Sequence, residues 1–141
     1  MKSALDISAA LCWVLPRPAS PQAVRLRDGC RRGVHEVIAP SIFPAEAASA
    51  RTKAERQKLI PVGQAGVLLA DILTTPPALY PYEPLLAWAV DISSQTRSGL
   101  YDCRYVALAE REGCELVTDD QILIASLKPQ FRFILPLASL P

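Results

Sequence analysis

Five acidic residues stand where a carboxylate could do chemistry: Asp6, Glu46, Asp102, Asp119 and Asp120. Asp102 is the most unusual of them. At helical spacing it shares a stripe with Tyr105, Val106 and Ala109, a stripe that should face the core. A carboxylate there is costly to bury unless hydrogen bonds, a cation or a metal compensate it. Glu46 lies close to one stripe with Ile42, Phe43, Ala50 and Lys53. Asp6 and Asp120 follow short apolar runs, where a strand gives way to a helix. Carboxylates held close together repel, and one stays protonated unless a cation occupies the space between them. Oxygen-only ligands without His or Cys suit Mg²⁺ or Mn²⁺. Such an ion lowers the pKa of a bound water and stabilises the charge of an in-line phosphoryl displacement. The residues therefore point to metal-dependent phosphodiester hydrolysis.

Four of these five acids also have a plainer reading. Asp6 suits a helix cap, and so does Ser8 two residues on. Thr118-Asp119-Asp120-Gln121 fits a capping box with Thr118 as the cap, and acids in a first turn complement the helix dipole. A lone Glu on a helix is usually a surface residue.

The elements that must position these residues are short. Ser3–Leu5 reads as a strand and Ile7–Leu15 as a helix closed by Pro16 and Pro18. Ser20–Gly33 reads as a helix with Pro21 in its first position after a Ser cap. Its arginines, Arg25, Arg27, Arg31 and Arg32, read as a solvated basic face, and His35 after the turn as structural. Glu36–Ala39 is a second strand ended by Pro40. Residues 42–59 form a long helix whose Pro44 is tolerated in the first turn, and whose charged second half, RTKAERQKL, should be exposed. Helices over 62–73 and 83–97 flank at most a very short strand at 78–81. A helix from the Gly99 turn to Gly113, a strand at Glu115–Val117, a helix from Thr118 and a last strand at 131–135 complete the chain. Short apolar strands separated by helices predict an α/β fold with a parallel sheet covered on both faces. In such sheets ligand sites form at the carboxyl ends of the strands.

At 141 residues the chain is expected to be a single domain, 1–141, with a real core. A net charge of +1 gives no global electrostatic argument for nucleic acid. Cys12, Cys30, Cys103 and Cys114 form no C-x-x-C pair, so a zinc site or haem attachment lacks support and buried free thiols are expected. There is no G-x-G-x-x-G and no P-loop. The N-terminus looks superficially like a signal peptide, but Asp6 interrupts its apolar run, and no apolar run reaches the roughly 18 residues of a membrane span. A protein of the cytoplasm with no membrane partner is the expectation.

Three segments carry a resemblance. LDISAALCWVLP resembles the opening D-x-S-x-x-x-x-W segment of PIN domains, and in particular of VapC-type toxin ribonucleases from type II toxin–antitoxin systems. APSIFPAEAASA places Glu46 at the family's second acid. YDCRYVALAEREGCELVTDD resembles its Y-D-A-x-Y-x-A-L-A-E…L-x-T-x-D block, the most specific of the three. The resemblance covers nearly the whole chain. It implies a compact α/β/α sandwich with a short, mainly parallel central sheet and many helices. It also implies a Mg²⁺ or Mn²⁺ site, RNA as substrate, a homodimer, and a cognate antitoxin that inhibits. Carried over, Asp6, Glu46, Asp102 and Asp120 are the catalytic and metal-holding acids, Ser8 and Thr118 orient them or a bound water, and Asp119 fills the variable position. Gln121 stands where a basic residue is common, Cys103 replaces a frequent alanine, and the turn before Tyr101 is shorter than usual. No acid is missing.

Two other readings compete. A non-catalytic PIN-like interaction module would use the acids to dock a basic partner peptide. A phospho-accepting receiver domain fails, because no acidic pair ends the first strand and no Asp ends a middle strand. Arg17, Arg97 and Arg104 are candidates for phosphate contacts, against a plain reading as surface charge.

Overall fold

The computed structural model describes all 141 residues. In chain order they form β1 (Lys2–Leu5), α1 (Ile7–Leu11), α2 (Ser20–Arg31), β2 (Glu36–Pro40), α3 (Phe43–Arg56), α4 (Gln64–Ile72) and β3 (Ala78–Tyr80). A 3₁₀ turn (Glu83–Leu85) leads into α5 (Leu86–Thr96), followed by α6 (Leu100–Glu112), β4 (Glu115–Thr118), α7 (Gln121–Leu127), β5 (Ile134–Pro136) and a last 3₁₀ turn (Leu137–Ser139). The five strands make one sheet in the order β3-β2-β1-β4-β5, and every pairing is parallel. The α/β architecture with a parallel sheet is the one the sequence predicts.

The strands are short apolar runs because both faces are covered. Ala4, Leu5, Ile38, Ala39, Leu116, Val117 and Ile134 are all fully buried. Strand order grows outward from β1 in one direction to β3, then returns to β4 and continues to β5. Right-handed crossovers therefore put α1–α4 on one face and α5–α7 on the other. The helix α6 lies across β1, β2 and β4, and its residues Cys103 to Ala109 are all buried. Such a helix is apolar nearly all round, and the one charged residue within its buried run is Arg104. Because all strands run the same way, their carboxyl ends share one edge. The order reverses between β1 and β4, which is the switch point where open α/β sheets place their sites.

Several boundaries differ from the sequence expectation. The helix α1 stops at Leu11, short of the predicted Leu15, and turns follow before Pro16. The cap of α2 is Ala19, so Ser20 and Pro21 are its first two residues. The last strand begins at Ile134, since 131–133 is taken up by the turn that pairs Phe131 with Phe133 edge to face. Two arginines read as solvated are buried. Arg27 is 6% exposed. It pairs with Asp71 and Thr75 and lies 4.9 Å from the centroid of the Trp13 ring. Arg51 is 2% exposed, with no partner for its Nε or Nη1. His35 is structural as expected: its ring occupies the space that a Cβ on Gly29 would need, with Cδ2 2.1 Å from that position. No helix is long and apolar enough to cross a membrane.

Candidate active site at the β1–β4 switch point

Asp6 leaves β1 with its N–H bonded to the carbonyl of Val117 on β4, at 3.0 Å. It is 3% exposed. Its Oδ2 accepts from Ser8 Oγ at 2.6 Å and from Thr118 Oγ1 at 2.9 Å. Each hydroxyl has one hydrogen, and both are spent on Asp6. The hydroxyl oxygens then accept from the backbone, Ser8 from Asp119 N at 2.9 Å and Thr118 from Asp120 N at 3.1 Å. Ser8 and Thr118 thus tie the ends of β1 and β4 together and fix the Asp6 carboxylate. Both hydroxyls are turned to the Asp6 carboxylate, and neither residue caps a helix. Burial pushes the Asp6 carboxyl up and Asp120 adds to the rise, while the two hydroxyls pull it back.

Asp120, not Thr118, is the cap of α7. Its side chain accepts from Ile122 N at 3.0 Å and Leu123 N at 3.1 Å, so the predicted capping box is displaced by two residues. The cap is compatible with a place among the acids, because a carboxylate has several lone pairs and the backbone N–H groups take only Oδ1.

Glu46 lies in the first turn of α3, where the buried Phe43 and Ala47 turn that face inward. Its Oε1 accepts from Arg104 Nη2 at 2.9 Å and from the Tyr105 hydroxyl at 3.4 Å. Burial raises its pKa, Arg104 lowers it and Asp6 raises it. Asp102 lies in the first turn of α6, half-buried. Burial, and then the charges of Asp6, Asp120 and Glu46, push it up to about 7, with Arg104 pulling the other way. Four carboxylates from four segments of the chain therefore share one electrostatic neighbourhood at the carboxyl edge of the sheet.

They do not stand as a closed ligand cage. No three acidic, His or Cys side chains are gathered closely enough to hold one ion. Glu46 is held toward Arg104, and Asp120 toward the start of α7. The donor set nonetheless fits a hard divalent cation: it is all carboxylate, and the negative charges of Asp6, Asp120 and Glu46 converge on Asp102 and raise its pKa.

Asp119 faces away from this cluster. Its Oδ2 accepts from Cys12 Sγ at 3.3 Å, and burial followed by Asp119 pushes that thiol up to about 12. Asp119, Asp120 and Ser8 line a cavity of about 350 Å³ together with Arg17 and Gln121. Of the arginines singled out in the sequence, Arg17 opens onto this cavity and Arg104 is 4% exposed against Glu46. Arg97 ends α5 in a left-handed conformation and lines neither this cavity nor the groove beside Glu46. The Glu46–Arg104 pair was invisible in the sequence, since 58 residues separate its members. The tyrosines beside it, Tyr82 and Tyr101, were missed for the same reason.

The sequence profile of the PIN domain matches residues 4–126. The chain belongs to the PIN-domain family. PIN domains are generally nucleases, and those nucleases usually use divalent metals. The match spans all four acids and both hydroxyls of the site. Among solved structures, this PIN domain is similar to the crystal structure of PAE2754 from Pyrobaculum aerophilum. The two are 21% identical, with a TM-score of 0.68 over 97% of this chain and 92% of the other. A search of curated proteins finds no match.

Proposed function

We propose that this PIN domain is a metal-dependent endoribonuclease, the toxin of a VapC-type toxin–antitoxin pair. The observation that carries the nuclease reading is Asp102: a half-buried carboxylate pushed up to about 7 by burial and by three other carboxylates, with one arginine as the opposing charge. Asp6, Asp102, Glu46 and Asp120 would hold Mg²⁺ or Mn²⁺. Once bound, the ion would activate a water and stabilise the charge developing on the phosphodiester. The chain's own part is orientation. Ser8 and Thr118 hold Asp6, the α7 N–H groups hold Asp120, and Arg104 and Tyr105 hold Glu46. The site lies at the ends of strands, so its ligands stand on rigid supports.

The toxin role, a homodimeric state, a cytoplasmic setting and an inhibitory antitoxin partner rest on the three sequence segments that resemble VapC-type toxins. The test is cleavage of RNA pools by purified, partner-free protein with Mg²⁺, Mn²⁺ or EDTA, beside Asp102→Asn. Cleavage that needs the metal and is lost in the variant supports the reading. Folded protein that neither binds nor cleaves RNA would overturn it, in favour of a module that uses its acids to dock a basic peptide.

A further inference from the structure

A groove of about 400 Å³ opens beside Glu46, between the start of α3, the turn before α5 and the start of α6. That size falls within the range of small-ligand sites, roughly 300–1,000 Å³. Its walls combine Tyr82 and Tyr101 with Leu86 and Leu100, and its polar side is Arg104 and Glu46. Tyr101 is 68% exposed, an unusual setting for so large a ring. The Arg104 guanidinium lies 4.6 Å from the Tyr101 ring centroid and 5.9 Å from that of Tyr82. Arg104 is nearly fully buried, and its Nε has no hydrogen-bond partner. Stacking on a tyrosine and an ion pair with Glu46 hold its plane in place.

We propose that this groove is a nucleobase subsite, in which one unpaired base of the RNA strand stacks on Tyr101 and Tyr82 next to the nucleotide whose phosphate lies at the acids. The proposal rests on the ribonuclease reading above and names how its substrate is gripped. Aromatic rings and arginine planes are the surfaces on which single-stranded bases stack. Glu46 belongs both to the groove and to the acid cluster, so the groove adjoins the place where the phosphate of a bound strand would lie. A peptide segment would offer backbone carbonyls to the polar edge of Arg104, but with apolar side chains it presents no flat π face for the two tyrosine rings. A base offers ring nitrogens and carbonyl oxygens to that edge and a π face to the tyrosines.

The test separates gripping from cutting. Fluorescein-labelled, mixed-sequence 2′-O-methyl oligonucleotides, which lack the free 2′-hydroxyl, are titrated in EDTA and followed by anisotropy. Wild type, Tyr101→Ala, Tyr101→Phe and Tyr82→Ala are compared, with thermal melts to verify folding. Tyr101→Ala should weaken binding roughly tenfold, and Tyr101→Phe should retain it. Removing single bases along the tightest oligonucleotide should reveal one abasic position that costs wild type about as much, and that costs Tyr101→Ala little more. Wild type that binds while Tyr101→Ala binds equally well would overturn the subsite and leave the ribonuclease reading standing. The same holds if no abasic position is coupled to Tyr101, and the groove would then fall to a protein segment. Wild type that neither binds these oligonucleotides nor cleaves RNA would overturn both.

Discussion

Arg104 on α6 donates to Glu46 on α3 at 2.9 Å, with 5% and 20% of their side chains exposed. The pair gives Glu46 a direct ion-pair partner, which Asp6, Asp102 and Asp120 do not have. Removing the arginine leaves a mostly buried carboxylate unpaired. Arg104→Gln should cost roughly 1.5–3 kcal/mol of stability in EDTA, the range for a hydrogen bond to a charged group. Saturating Mg²⁺ should shrink that loss if Glu46 turns to the ion. Urea melts with and without Mg²⁺ measure both, and an equal loss in the two conditions would show that Glu46 is not a ligand.

Asp102 sets a pH dependence. Its folded pKa is raised from 3.8 to about 7, so the native state binds its proton more tightly than the unfolded chain does. Stability of the metal-free protein should therefore be highest at acid pH as far as this group is concerned. It should fall as pH rises from about 4 to about 7 and then level off. Asp6 and Glu46, also raised, act with the same sign. Asp102→Asn removes the charge without changing the shape. In EDTA it should be more stable than wild type above pH 7, with the difference closing toward pH 4. Urea midpoints across that range provide the check. A midpoint difference of the opposite sign at pH 8 would mean that Asp102 is stabilised by partners rather than strained by neighbours.

Thr118 has no exposed surface. Its hydroxyl serves two clients, donating to Asp6 and accepting from the N–H of Asp120. Thr118→Val keeps the shape and strands both. It should destabilise the fold by about 1–3 kcal/mol and weaken metal-dependent cleavage, since oriented carboxylates lose affinity when their supporting bonds are cut. Thr118→Ser should restore most of both. Chemical denaturation and cleavage assays on the two variants together distinguish the hydroxyl from the methyl.

Asp120 caps α7 and, on the proposed function, would also hold the metal, two roles that substitution can separate. As the cap of α7 it needs only an acceptor, and Asn is as good a cap as Asp. As a metal-holding acid it needs its charge. Asp120→Asn should keep its melting temperature within a degree or two, on the order of a few tenths of a kcal/mol, while losing metal-stimulated cleavage. Asp120→Ala should lose both, with about 1 kcal/mol of stability. Full activity in Asp120→Asn would confine the residue to capping.

The strand–helix alternation, the parallel sheet and the inward stripe of α6 were legible in the sequence. Each follows from local periodicity and from short apolar runs bounded by Pro, Gly or acids. The four acids were legible too, because a carboxylate on an apolar stripe or after a strand contradicts its surroundings and so stands out in the chain itself. Which groups those acids meet was decided only by the tertiary structure. Ser8 and Thr118 are 110 residues apart in the chain, yet their hydroxyl oxygens lie 3.2 Å apart across the β1–β4 pairing. Glu46 meets Arg104 only because α3 and α6 approach one edge of the sheet from opposite faces. The same holds for Arg27 and Arg51, whose charge suggested solvent and whose burial comes from elements packed over them. Local patterns record what a residue is and which way its own element turns it. Contacts between distant segments depend on strand order and crossover, and those are properties of the whole sheet.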